Sequence, residues 1–286
     1  MPIDNQNIFE RISSEYYSLT ASEKKVADFA LANMSATQYM SISELADACS
    51  VAEATVSRFS RRLGYKGYNT FKLAVSKASI QHKPLNPLSG EITENDSLED
   101  MARKLYSAEM EAITQTMELL DGDKIREAAA LLEKAKQVFC MGHGGSMLIA
   151  SEAAHLFSTV SNKFRAQPDS HLQAMAAALM KEGDVVLFFS YSGATRSMME
   201  TLKLARQSGA KIILVTRFPN SPGARAADVV LQCGANESPL QTGSVAARIA
   251  QMSLLDVLFS EFSRRNMERC RERRTRVADA LADKHL

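Results

Sequence analysis

Apolar and polar positions follow two different rhythms along this chain. Up to about residue 78 the apolar positions recur at helical spacing. Val26, Ala27, Phe29, Ala30 and Leu31 form one stripe, which predicts a helix running to about Asn33. The capping box Thr20-Ala21-Ser22-Glu23 opens it. A second box, Ser41-Ile42-Ser43-Glu44, opens a short helix with Leu45, Ala46 and Cys49 on one face. A third helix is predicted from about Glu53 to Leu63, with Val56 and Phe59 facing inward and Gly64 just past its end. Two short helices joined by a tight turn predict a helix-turn-helix. Two positions depart from the usual pattern. Ser50 stands where the turn commonly has Gly, and Ala52 stands where the second helix commonly has a Ser or Thr cap. A missing cap costs about 0.5–2 kcal/mol.

Beyond this region the periodicity stops. Residues 79–96, SIQHKPLNPLSGEITEND, contain Pro84, Pro87 and Gly90 and read as a linker. Ser97 then caps a new helix, and helices are predicted over 98–119 and 123–135. Short apolar runs follow at Val138–Met141, Phe164–Ala166, Val185–Phe189, Ile212–Val215 and Val229–Leu231, with helical stretches between them. That alternation predicts a doubly wound α/β domain with a mainly parallel sheet. The chain therefore divides into an all-α helix-turn-helix domain (1–78), a linker (79–96) and an α/β domain with a C-terminal helix (97–286).

Composition narrows the class. The 286 residues are 45% apolar, enough for a sizeable core, and no apolar run approaches the ~20 residues of a membrane span. The opening stretch MPIDNQNIFERISSEYY has no apolar core of a signal peptide. Cys49, Cys140, Cys233 and Cys270 show neither CxxC nor zinc spacing and read as reduced thiols of a cytosolic protein. No metal and no cofactor is implied. The net charge of +1 says nothing about partners, but its distribution does. Thr55, Ser57, Arg58, Arg61 and Arg62 are expected on the outer face of the third helix, and Lys66, Lys72 and Lys77 follow. No acid occurs between Arg58 and Lys77, whereas the preceding part is net acidic. A one-sided basic stripe on such a helix is the footprint of DNA binding. Glu53, Ala54, Thr55, Ser57 and Arg58 are the expected groove-facing residues, and Arg61, Arg62 and Lys66 the expected phosphate contacts. A solvated basic face on a small helical bundle would show the same residues.

The second candidate chemistry lies in FFSYSGAT, Phe188 to Thr195. A buried apolar run ends in Ser190, Tyr191, Ser192, Gly193, Ala194 and Thr195, and a helix begins at about Arg196. Hydroxyls at the N-terminus of a helix bind anions, and Gly193 lets the backbone turn or approach a ligand closely. The loop has no Lys and the chain has no GxxxxGK[ST], so a small phosphorylated molecule fits better than a nucleotide. An ordinary helix cap would use the same residue types. A related loop, Gly142-His143-Gly144-Gly145-Ser146, follows the first strand run. It is not a dinucleotide fingerprint, because Met147 stands at the third Gly position and no acid lies about 20 residues on. Neither loop is a nucleophile elbow, since Ser190 and Ala194 stand where GxSxG around Ser192 needs glycines. Ligands of such sheets sit beyond the carboxyl ends of the strands, where strand order reverses. Two Ser-rich loops there suit a phosphate and a polyol.

Two resemblances follow from these stretches. SISELADACSVAEATVSRFSRRLGYKGYNTFKLAVSKA, from Ser41, with TASEKKVADFALAN before it, resembles the helix-turn-helix of the RpiR family of bacterial sugar regulators over roughly residues 5–78. GHGGS, SYSGAT and the closing stretch Gly243 to Phe259 resemble the sugar isomerase (SIS) domain over about 105–265. An RpiR-type N-terminus followed by a SIS domain is the architecture of that family. The resemblance implies a DNA-binding regulator, more often a repressor than an activator, and not an enzyme. The partners it implies are a double-stranded DNA operator and a small phosphosugar effector. A homodimer or homotetramer is expected because one short recognition helix seldom binds tightly enough alone. No membrane is expected because no apolar run is long enough to span one. The resemblance further implies that Ser146 and Ser190 hydrogen-bond the ligand and that Ser192 and Thr195 hold its phosphate. His171 falls where family members place a ligand-contacting residue, and Arg248 could reach a phosphate or a hydroxyl. The bland alternatives are a capping or surface role for His171 and a surface salt bridge for Arg248.

Two other functional classes use parts of the same pattern. An aldose–ketose phosphate isomerase needs a general acid and base. Only Glu152, His155, His171 and Glu237 are candidates, and no matched pair emerges. A sugar-phosphate-binding adaptor would use the basic helix on protein instead of DNA. The basic tail from Arg264 is expected to be solvated or packed on another subunit, with DNA contact as the alternative.

Overall fold

The computed structural model describes residues 8–82, 92–235, 245–282 and 284, which form two compact units. Residues 83–91 of the expected linker and Glu237 lie outside the described residues, as do Gly243 and Ser244 at the start of the closing stretch.

The first unit is helical. It comprises α1 (Ile8–Glu15), a 3-10 turn (Tyr16–Ser18), α2 (Ala21–Ala32), α3 (Met34–Thr37), α4 (Ile42–Ala48), α5 (Glu53–Arg62) and α6 (Tyr68–His82). Both expected capping boxes form. The Thr20 hydroxyl accepts from the Glu23 amide, the Ser41 hydroxyl accepts from the Glu44 amide, and each Glu carboxylate accepts from the cap amide. Ile12, Val26, Leu45, Val56, Phe59, Leu63, Phe71 and Val75 are buried without exposed surface and make one core. The turn between α4 and α5 is closed by the Val51 amide on the Ala46 carbonyl at 2.9 Å. Ser50 takes φ of +52° there, the conformation that favours glycine. Ala52 caps α5 without a side-chain bond. Helix α6 runs on to His82, four residues into the stretch expected as linker.

The second unit is a three-layer α/β domain. Before the sheet come α7 (Leu98–Glu118), of which residues 105–118 belong to this unit, and α8 (Gly122–Lys134). Next are β1 (Val138–Gly142), α9 (Gly145–Ser158), β2 (Phe164–Ala166), α10 (Ser170–Leu179), β3 (Val185–Phe189) and α11 (Arg196–Gln207). Then come β4 (Lys211–Thr216), α12 (Pro222–Ala226), β5 (Val229–Gln232), α13 (Val245–Arg265) and α14 (Met267–Ala282). All pairings are parallel, in the order β2-β1-β3-β4-β5.

Continuous apolar strands arise because both faces of the sheet are covered. Val185, Leu187 and Phe189 point into one layer, with Phe157 of α9 and Leu254 of α13. Val186 and Phe188 point into the other, with Met198 and Leu202 of α11. The neighbouring strands repeat the alternation, with Ile213 and Val215 on the first side and Ile212 and Leu214 on the second. The fold is therefore an all-α helix-turn-helix unit followed by a doubly wound, parallel α/β domain.

Candidate functional site

In the order β2-β1-β3-β4-β5 the direction of winding reverses between β1 and β3, which is where ligands of such sheets bind. The two hydroxyl-rich loops leave the sheet at that place. Gly142, at the end of β1, pairs in register with Phe189, at the end of β3. GHGGS and SYSGAT are therefore neighbours by topology. Gly142 is held tightly: a Cβ there would lie 2.7 Å from the Ser146 carbonyl oxygen. Gly144 turns the chain into α9 with φ of +55°. Across the crevice the His143 Nε2 approaches the Ser197 hydroxyl at 3.5 Å, and the His143 ring packs on Phe188 with centroids 5.5 Å apart. Burial holds the His143 imidazole below its ordinary pKa, which favours the neutral ring.

The second loop is organised by its own hydroxyls. The Ser190 hydroxyl accepts from the Gly193 amide at 3.2 Å, and the Ser192 hydroxyl accepts from the Ala194 amide at 3.3 Å. Ser190 is buried, whereas Ser192 and Thr195 are exposed. Thr195 is the cap residue of α11, but its side chain makes no capping bond. Gly193 is required on two counts. Its φ is +58°, and a Cβ would fall 2.1 Å from the Ser221 hydroxyl oxygen. The Gly193 carbonyl accepts from the Gly223 amide at 2.8 Å. The Tyr191 carbonyl accepts from the Thr216 hydroxyl at 3.0 Å and the Arg217 amide at 3.1 Å. The Tyr191 hydroxyl donates to the Ala235 carbonyl at 3.1 Å, which also accepts from Arg217 Nε at 3.2 Å. The loop is thus pinned from β4 and from the segment after β5.

The other expected ligand residues are placed as follows. Ser146 is half-buried in the first turn of α9. His171 is exposed in the first turn of α10, whose cap Asp169 accepts from the amides of His171 at 2.9 Å and Leu172 at 3.2 Å. The Leu172 amide first, and then that of His171, hold the Asp169 carboxyl below its usual range. Arg248 is half-buried in the first turn of α13. Glu152 and His155, two of the acid–base candidates, face each other on α9 at 3.5 Å with the imidazole well exposed.

Sequence reasoning missed Gln173, Thr216 and Ser221, all buried. Gln173 Nε2 donates to the Gly142 and Gln167 carbonyls, both at 2.9 Å, and so ties the end of β1 to the end of β2. Ser221 precedes a proline at a helix start, which was a readable cap signal. Nothing local marks Gln173.

On α5, Arg58, Arg61 and Lys66 beyond its end are exposed, as is Ala54, while Glu53 and Ser57 are half-buried. Thr55 was expected on the outer face and is buried instead. Its hydroxyl accepts from the Arg58 guanidinium at 3.2 Å, because position 55 turns toward Val56 and the helical core. Glu53 accepts from the buried Ser43 hydroxyl at 2.8 Å and so ties α5 to α4. Arg62 is engaged within the unit: it donates to the Ser18 carbonyl and lies 3.5 Å from the Glu23 carboxylate.

A helix-turn-helix with a basic outer face, followed by a parallel sheet with a hydroxyl-lined switch point, defines a DNA-binding regulator carrying a SIS domain. The comparisons with known proteins agree. The helix-turn-helix domain of the rpiR family matches residues 6–82, and the SIS domain matches residues 131–261. An uncharacterized HTH-type transcriptional regulator of Caldanaerobacter subterraneus is 34% identical, over 85% of each chain. The HTH-type transcriptional regulator RpiR of Escherichia coli K12 is 30% identical, over 87% of this chain and 84% of that one. Among solved structures, the Vibrio vulnificus NanR protein complexed with ManNAc-6P superposes with a TM-score of 0.86, at 24% identity over 98% and 99% of the two chains. The chain belongs to the RpiR family of helix-turn-helix transcriptional regulators, and no helix among its described residues is long and apolar enough to cross a membrane.

Proposed function

We propose that this regulator is a cytoplasmic repressor of sugar or amino-sugar metabolism whose DNA affinity is set by a phosphosugar held between the GHGGS and SYSGAT loops. The observation that carries the reading is the placement of both loops on register neighbours at the switch point of the sheet. The Ser190 and Ser192 hydroxyls accept from loop amides, which leaves their protons to donate to phosphate oxygens. Thr195 and the first amides of α11 add donors and a favourable dipole. Ser146 reaches the sugar from the other loop, and His171 and Arg248 supply specificity. The neutral His143 ring, bridging toward Ser197, reads hydroxyls by hydrogen bonding. The fold shared with NanR, which was solved with ManNAc-6P, makes amino-sugar phosphates the first class to test.

On the DNA side, residues 1–78 carry the operator-binding surface. Ala54, Ser57 and Arg58 meet the groove, while Glu53 and Thr55 hold the first turn of α5 in place through Ser43 and Arg58. Arg61 and Lys66 meet phosphates, with Arg62 beside them. A homodimer or homotetramer spaces two recognition helices one DNA turn apart, about 34 Å. A phosphosugar that binds the competent and incompetent spacings unequally shifts DNA affinity.

The test is a thermal-shift panel of sugar phosphates beside the free sugars, with the Ser190→Ala/Ser192→Ala double variant alongside. A ligand at 100 times its Kd adds about 2.7 kcal/mol to the folded state. One or two phosphosugars should raise Tm in the native protein and not in the variant, and the variant should still shift operator DNA. A rise with free sugars alone, or an equal rise in the variant, would contradict the reading.

A further inference from the structure

A charged cavity lies at the amino ends of the strands, opposite the end of the sheet that carries the two loops. It measures about 270 Å³ and is bounded by the run-in to β1 (Lys136, Gln137), the run-in to β2 (Lys163) and the joint between α13 and α14. Four cations line it: Lys136, Lys163, Arg269 and Arg273. Among the described residues the one lining carboxylate is that of Glu133, and Arg265 pairs with it at 3.1 Å. Three of the cations are oriented by neutral carbonyls instead. Lys163 Nζ donates to the carbonyls of Glu133 at 2.8 Å and Ala135 at 3.1 Å, Arg273 donates to that of Val160 at 2.9 Å, and Lys136 donates to that of Glu182 at 3.1 Å. A carbonyl aligns a cation without neutralising it. Positive charge is therefore gathered around the half-buried Lys163 with one paired carboxylate beside it. Burial first, and then repulsion from Arg269 and Arg273, holds the Lys163 ammonium below its ordinary pKa.

We propose that this cavity is a second anion site, separate from the strand-end loops, which takes a small polyanionic metabolite carrying two or more phosphate or carboxylate groups. Like charges gathered in a partly desolvated cavity repel one another, and a multivalent anion turns that repulsion into several charge-assisted hydrogen bonds. The volume is just below the ~300 Å³ at which drug-sized pockets begin, so it suits a compact anion and not an extended chain. Arg269 and Arg273 stand one helical turn apart on α14, while Lys136 and Lys163 stand just before β1 and β2. An anion bound by both pairs clamps α14 onto the sheet. The basic tail is thereby a ligand-dependent element of the SIS domain.

The experiment uses the full chain with inorganic pyrophosphate as probe and amide hydrogen exchange, read by mass spectrometry, as readout. Pyrophosphate should slow exchange in α14 and in residues 160–163. Arg269 and Lys136 are exposed, so Arg269→Glu and Lys136→Gln should fold normally. Each should raise the concentration needed for half-maximal protection by about tenfold, the effect of losing one charged hydrogen bond. Three results would overturn the proposal. They are the absence of slowing in the native protein up to millimolar pyrophosphate, unchanged protection in both variants, and protection confined to residues 190–198.

Discussion

The two candidate binding regions, the outer face of α5 and the switch-point crevice, are built on opposite plans. On α5 the chemistry is carried by long side chains at the surface. Arg58 and Arg61 are exposed, the helix has no side-chain cap, and the preceding turn holds Ser50 in the left-handed region. In the crevice the chemistry is carried by backbone and short hydroxyls fixed by neighbouring strands, with Gly193 locked against Ser221 and the Tyr191 carbonyl doubly bonded. The difference matches the two kinds of phosphate proposed as ligands. A DNA backbone is a long array of charges, read well by mobile cations that displace counterions. A single phosphate on a small molecule must be gripped in one geometry, which favours a preorganised cradle.

The contrast can be broken at its rigid end first. Gly193→Val puts a branched side chain at φ of +58° and against Ser221, so it should cost about 3 kcal/mol or more and abolish the phosphosugar response. Urea denaturation followed on the SIS domain checks the first part and the ligand-induced Tm shift the second. A variant as stable as the native chain would mean the cradle is softer than its close packing indicates. At the surface end, Arg58→Ala and Arg61→Ala should each weaken operator binding by about 1–3 kcal/mol without altering the fold. A variant that gives up one DNA phosphate should also show a salt slope shallower by about one, measured by fluorescence anisotropy across a salt series.

Smaller effects sharpen the comparison. Ala52→Ser supplies the missing cap of α5 and should stabilise the helical unit by about 1 kcal/mol, seen as a higher denaturation midpoint. No gain would show that the α5 amides are already satisfied. The smallest expected effect concerns pH. The folded pKa of His143 is depressed, so the unfolded chain takes up the proton first as pH falls. Its contribution to stability is therefore intact above the ordinary histidine range and declines below it. Native protein should lose more Tm on acidification through that range than His143→Gln does. Equal losses would remove His143 from the buried side of the crevice.

Much of this molecule was legible in the chain itself, for local reasons. Two capping boxes, a Gly after α5 and short helical stripes are satisfied by contacts within a few residues, so the helix-turn-helix could be read directly. The strand runs were equally plain, because a parallel sheet covered on both faces needs apolar residues at every position. Val185–Phe189 and Phe164–Ala166 were placed to the residue, and the other three strands to within one residue at each end. The two hydroxyl-rich loops stood out because strand ends rarely carry so many Ser, Gly and Thr.

Only the tertiary structure decided what lies next to what. Strand order is set by packing between segments distant in sequence, and it alone puts GHGGS beside SYSGAT. The burial of Thr55 depends on how α5 is rotated against its core, which an amphipathic pattern defines only to within a residue or so. Gln173 and Thr216 serve the crevice by bonding to backbone 6 to 31 residues away, and such bonds leave no mark on local composition. The chain alone determined which elements form and which loops carry hydroxyls, since those depend on near neighbours. The crevice and the cationic cavity at the amino ends of the strands came only from the folded arrangement, since they depend on residues that meet in space.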